Sequence, residues 1–167
     1  ILLVNRPIGE QSKIVMGLRA YTNQDEARFA GSVASKILSS GIDSRLGKYI
    51  RAEKGLAYGV WGVFSPGRHA GSFEGGTDTS LETTGQAIEA MFKVFAEMGQ
   101  ADVTPEELRE AKSRVAGGMV MGMQTISQQA GYRADVIVNN YPLDYYDTYA
   151  ARIAEVTSDQ IRQVMKR

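Results

Sequence analysis

"SRLGKYIRAEKGLAYGVWGVFSPGRHAGSFEGGT", residues 44–77, changes its periodicity at a single glycine. Before Gly55, Leu46, Tyr49 and Ile50 recur at helical spacing, which predicts a short helix over Ser44–Glu53 with those three turned inward. After it, Tyr58–Phe64 is rich in aromatic and β-branched residues and predicts a strand. Ser65-Pro66-Gly67 is turn chemistry, and Ala70–Thr77 returns as a second strand, so the stretch predicts a hairpin around "SPGRHAG". Gly75 and Gly76 read as a close backbone approach at a strand end. A phosphate cradle would need a fuller glycine loop, a following helix and preferably a lysine, and the lysine is missing.

On the N-terminal side, Gln11–Ala20 carries Ile14, Val15, Met16 and Leu18 and predicts a first strand. Asn23 with Glu26 has capping-box spacing, followed by an apolar face of Ala27, Ala30, Val33, Ala34, Ile37 and Leu38 that ends at Gly41. Thr79 with Glu82 has the same spacing. Behind it run Ile88, Met91, Phe92, Phe95 and Met98, with Gly99 as the stop. Thr104, Pro105 and Glu107 form a stronger helix start, continued by Leu108, Ala111, Val115, Met119 and Met123. Helices are further expected over about 126–139 and 143–155, and Thr157 with Gln160 starts a last one.

Strands come early and helices late. That order predicts an α+β fold: a two-layer sandwich with helices packed on one face of a mainly antiparallel sheet. The 167 residues suit a single domain, 1–167. The chain opens "ILLV", inside an apolar run and without an initiator methionine, and reads as a fragment cut from a longer chain.

Hydrophobic residues make up 43% and charged residues 23%, the balance of a soluble globular protein, and the 19 basic and 19 acidic residues cancel. This lacks the electrostatic footprint of a nucleic-acid binder, and no basic run points to a membrane surface. No apolar run approaches the roughly 18 residues that span a bilayer. With no cysteine, disulfides, thiol catalysis and thiolate metal sites are excluded. His69, the one histidine, lies in the expected hairpin turn beside Arg68 and has no HxxEH or HxH partner, so no metal site is assigned to this chain. Met119, Met121 and Met123 cannot share one helix face and suit either core packing or a flexible apolar surface. The glycines Gly117, Gly118 and Gly122 weaken that helix and are expected to allow close helix approach.

Arg51 and Tyr58 flank the Gly55 break. On spacing alone, the arginine can serve the end of a short helix and the tyrosine can pack in a strand. Alternatively, the turn brings a cation and a phenol to one site.

The order of features resembles the C-terminal, non-zinc domain of the M16 peptidases, the insulinase, pitrilysin and mitochondrial-processing-peptidase family of metalloendopeptidases. "SRLGKYIRAEKGLAYGV" is the most specific match. "NRPIGEQSKIVMG" resembles the family's opening strand, "VTPEELREAKSRVAGGM" its following helix and "DYYDTYAARIAEVTSDQIRQV" its closing helices. The resemblance implies one half of a pair of similar folds, of the LuxS-like metallohydrolase type, which enclose a chamber. One half carries HxxEH and binds zinc. The other supplies an arginine and a tyrosine, and those positions fall on Arg51 and Tyr58.

By this resemblance the chain is the substrate-binding half of a zinc-dependent endopeptidase acting on peptides. Tyr58 is then the oxyanion-stabilising catalytic residue, and Arg51 and Tyr58 bind substrate. Zinc is expected in the partner domain or subunit, within a homo- or heterodimer. Without HxxEH the chain alone is expected to be inactive. The alternative the resemblance carries is a catalytically inactive scaffold or core subunit. Bacterial periplasm and cytoplasm both suit either reading.

Overall fold

The computed structural model describes residues 9–167, so the opening apolar run lies outside the described residues. The chain runs β1 (Gln11–Ala20), α1 (Ala27–Ser39), a π-helical segment (Gly47–Glu53), β2 (Val60–Ser65) and β3 (Gly71–Ser80). A 3-10 turn (Leu81–Thr83) leads into α2 (Thr84–Gln100), α3 (Pro105–Met121), α4 (Ile126–Val138), α5 (Tyr145–Glu155) and α6 (Ser158–Lys166). The three strands lie in the order β1-β3-β2 and both pairings are antiparallel. This is the expected α+β sandwich.

Register explains which face the helices cover. Ile14 pairs with Thr77, Met16 with Gly75 and Leu18 with Phe73; on the other side Val60, Gly62 and Phe64 meet the same three β3 residues. Strand side chains alternate between faces, so these nine share one face. Two glycines, Gly62 and Gly75, lie side by side there and leave a groove. A Cβ at Gly75 would come within 2.9 Å of Phe95 Cζ, and one at Gly62 within 3.3 Å of Leu46 Cδ1. The groove thus admits a ring from α2 and a leucine from the segment before Gly47. On the opposite face Val15, Trp61 and Val63 are exposed, beside the Lys13–Asp78 ion pair at 3.1 Å.

Two serines of α1 close the outer edge of β2. The Ser35 hydroxyl accepts from the Phe64 N–H at 2.9 Å, and the Ser39 hydroxyl donates to the Gly62 carbonyl at 2.9 Å. An edge strand presents unpaired backbone groups, and here a helix satisfies two of them. The apolar face of α1 is buried as its spacing requires, with Val33, Ala34 and Leu38 fully enclosed. Leu46, Ile50, Met91 and Met98 complete the centre of the core.

Several expected helix starts differ. Glu26 takes the N-cap position of α1 without a side-chain bond. The Asp25 carboxylate accepts from the Ala27 N–H at 2.9 Å instead, and buried Asn23 turns to Asn139, the residue that caps the end of α4. Thr79 belongs to β3 rather than to a cap, because the strand runs three residues past Thr77. The boxes at Thr104–Glu107 and Thr157–Gln160 form as expected. Gly99 lies inside α2, which continues to Gln100. Among the described residues a Cβ at Gly117 or Gly118 would meet nothing within 4 Å, and of the three glycines only Gly122 is approached, by the Tyr132 hydroxyl.

Candidate functional site

Gly55 sits at φ +62°, the left-handed region that costs glycine little. The Leu56 N–H reaches back to the Ile50 carbonyl at 3.0 Å, and the Lys54 N–H to the Tyr49 carbonyl at 3.1 Å. A bond from beyond a left-handed glycine back over the last turn is how many helices close. The preceding turns are π-helical, a rare form that is frequent at functional sites, where a short helix was expected. They are anchored from below by Leu46 and Ile50, both fully buried.

The chain therefore doubles back, and Tyr58 lies in the loop ahead of β2 rather than in the strand expected from Tyr58 onward. The Arg51 guanidinium carbon sits 4.5 Å from the centroid of the Tyr58 ring. Arg51 is half-buried, whereas Tyr58 is 84% exposed. The two residues singled out in the sequence are thus brought together, in a cation–π stack that contributes about 0.5–1 kcal/mol at exposed sites. Neither faces the hydrophobic interior.

Two threonines of β3 hold the loop. Thr77 Oγ1 donates to the Gly59 carbonyl at 2.7 Å, and Thr79 Oγ1 donates to the Leu56 carbonyl at 2.7 Å. Each is only 3% exposed. Their signal in the sequence was two inward-facing polar residues two apart on a strand, in "GTDTS".

Beneath the segment, the Arg45 fork grips Glu107 at 2.8 and 2.9 Å. That hydrogen bond is the main reason the Glu107 carboxyl is held down at about 2. Beside it, the Lys93 ammonium donates to the Tyr49 phenol at 3.1 Å, which raises the lysine's pKa.

A second polar cluster escaped the sequence reading. Arg28, buried on α1, lies 4.4 Å from the Phe29 ring centroid and 5.4 Å from that of Tyr145. It donates to the Tyr145 hydroxyl at 3.2 Å and to the Asp25 carbonyl at 3.0 Å. Burial pushes the Tyr145 hydroxyl up to about 12. The adjoining cavity of about 260 Å³ is walled by Tyr132, Tyr141, Tyr146 and Tyr149. The arginine's partners come from this chain, so the cluster accounts for itself as packing.

Zinc does not fit the residues present. Among the described residues no three His, Asp or Glu side chains are grouped to hold a metal, and His69 is exposed in the hairpin turn. Among the same residues, no helix is long and apolar enough to cross a membrane.

The chain is similar to known proteins over most of its length. The chain is 24% identical over 157 residues to an uncharacterized zinc protease of Streptomyces coelicolor, covering 94% of this chain and 34% of that protein. It is 28% identical over 132 residues to a protein of Helicobacter pylori described as a non-peptidase homolog, covering 78% of this chain and 30% of that one. The chain thus spans well under half the length of these relatives. A crystal structure of a peptidase M16 inactive domain from Pseudomonas fluorescens superposes with a TM-score of 0.86 at 26% identity, over 94% of this chain and 38% of that one. Residues 2–115 match the family described as "Peptidase M16 inactive domain", and the chain belongs to that family.

Proposed function

We propose that this chain is the substrate-binding, metal-free half of a zinc-dependent endopeptidase, with Tyr58 stabilising the oxyanion and Arg51 holding the peptide. The observation that carries this reading is the stack of Arg51 on the exposed ring of Tyr58, whose backbone loop is tied down by buried threonines. Attack on an amide carbonyl moves negative charge onto its oxygen. A phenolic hydroxyl fixed within hydrogen-bond reach of that oxygen stabilises the tetrahedral state more than the planar one, which is the requirement for a catalytic contribution. The guanidinium adds a permanent charge and a planar donor fork for substrate carbonyls. The metal belongs to the partner domain or subunit, and peptides are cleaved in the chamber that the two halves close.

The test is Arg51→Ala in the assembly of this chain with its zinc-bearing half. KM for a peptide substrate rises about tenfold or more, because a charged hydrogen-bonding group is worth roughly 1.5–3 kcal/mol. An unchanged KM removes Arg51 from substrate binding.

A second reading, a scaffold without chemistry, is favoured by one observation: the Helicobacter pylori relative is described as a non-peptidase homolog. Under that reading the assembled protein holds no zinc and cleaves no peptide, and Arg51 and Tyr58 serve only as surface.

A further inference from the structure

We infer that Thr77 and Thr79 are positioning residues for Tyr58. This rests on the reading of Tyr58 just given and extends it to the groups that aim it. The two threonines are alternate residues on β3, so both hydroxyls leave the same face. They bracket the tyrosine: Thr79 takes the carbonyl of Leu56, two residues before it, and Thr77 the carbonyl of Gly59, one after. The Leu56 N–H is itself bonded to Ile50, in the turn that carries Arg51. One side of the Arg51–Tyr58 stack is therefore fixed to the π-helical turn and the other to the sheet.

The direction of the bonds gives the clamp its strength. A threonine hydroxyl has one proton. Thr79 spends its proton on Leu56, so in its 2.7 Å contact with Thr83 it accepts. Thr83 then accepts in its 2.6 Å contact with Ser80. The shorter contacts form a relay of donors, Ser80 to Thr83 to Thr79 to the Leu56 carbonyl, with the Ser80 carbonyl at 3.3 Å as a second, longer acceptor for the Thr83 proton. The relay runs from the end of β3 through the 3-10 turn that opens α2. Tyr58 is 84% exposed, so packing does little to hold its ring. Its backbone must be held instead, and these are the buried groups that hold it.

The test uses the assembly with the zinc-bearing half and the variants Thr77→Val, Thr79→Val, Thr77→Ser and Thr79→Ser. Valine keeps the shape and removes the hydroxyl; serine keeps the hydroxyl. Two quantities are read: peptide cleavage, and hydrogen exchange of the Leu56 amide. Each valine variant is expected to lose about ten- to a hundredfold in kcat, the scale of a misplaced catalytic group, with KM changed less than about threefold. Leu56 exchange speeds up in both, and the serine variants return both quantities toward wild type. A role in folding alone would lower the yield of active protein without this split between kcat and KM.

Valine variants with wild-type kcat overturn the inference. If Thr79→Val does not fold, Thr77→Val and Thr79→Ser decide it by the same criteria. If Tyr58→Phe itself leaves cleavage unchanged, the proposed role of Tyr58 fails separately. The Leu56 amide then decides the clamp without turnover: faster exchange in the valine variants upholds it, and unchanged exchange overturns it.

Discussion

Arg45 and Glu107 form a two-pronged ion pair across the molecule: Nε and one terminal nitrogen of the guanidinium meet the two carboxylate oxygens at 2.8 and 2.9 Å. The same carboxylate accepts the Thr104 N–H at 2.8 Å and so caps α3. One side chain thus ties the first turn of α3 to the residue two positions before the π-helical segment. Removing either partner disturbs the base on which Arg51 stands.

The pair makes stability depend on pH in a defined window. Folding lowers the Glu107 carboxyl from 4.5 to about 2. A lowered carboxyl contributes stability above its unfolded value and loses it as pH falls through the folded one. The wild-type chain therefore loses roughly 1–2 kcal/mol from this group between pH 4.5 and pH 2, after allowance for solvent screening. Glu107→Gln should remove that share of the acid sensitivity, and urea titrations at pH 7 and pH 2.5 measure it. Equal pH sensitivity in the two proteins would count against the assignment.

Among the described residues the buried Tyr21 hydroxyl has no hydrogen-bond partner, and it lies against the bare face of Gly31. A Cβ at Gly31 would fall 1.6 Å from that oxygen and 2.8 Å from the ring carbon bearing it. Tyr21→Phe removes an unsatisfied polar atom and should leave stability unchanged or raise it by up to about 1 kcal/mol. Gly31→Ala should cost about 2 kcal/mol or more through overpacking. The double variant should recover part of that cost. Thermal melts of the three variants check the set, and additive losses would contradict the contact.

Gly55 tests the turn itself. Among the described residues nothing lies within 4 Å of a Cβ built there, so the cost of Gly55→Ala is conformational, about 1–2 kcal/mol for a non-glycine residue at φ +62°. Gly55→Asn should cost less than half as much, since asparagine tolerates that region. Urea denaturation separates the two, and equal costs would point to a steric cause instead.

What was legible in the sequence followed from local chemistry. The capping boxes at Thr104 and Thr157 satisfy backbone donors within their own turn, and both formed. The strand at Gln11–Ala20 and the hairpin were set by alternation and by Ser65-Pro66-Gly67. The failures lie where a distant partner wins. Asn23 has the right spacing for a cap, but Asn139, more than a hundred residues on, takes its amide. Thr79 has it too, yet its hydroxyl goes to the Leu56 carbonyl, because β3 continues past the expected end.

The candidate site divides the same way. Gly55 announced a break, and the resemblance pointed to Arg51 and Tyr58. The stack between them depends on the π-helical turn and on Thr77 and Thr79, which meet the loop only in the folded chain. Likewise no local signal marks Arg28, and only folding gathers the rings of Phe29, Tyr141 and Tyr145 around it.

The role proposed for Tyr58 is decided by the turnover of Tyr58→Phe in the assembly with its zinc-bearing half. The substitution removes one oxygen from an exposed ring, leaves the stack on Arg51 in place and should not move the melting temperature. The proposed role predicts a kcat lower by about 10²- to 10³-fold, the usual loss for one oxyanion donor, with KM nearly unchanged. Cleavage at the wild-type rate would contradict it.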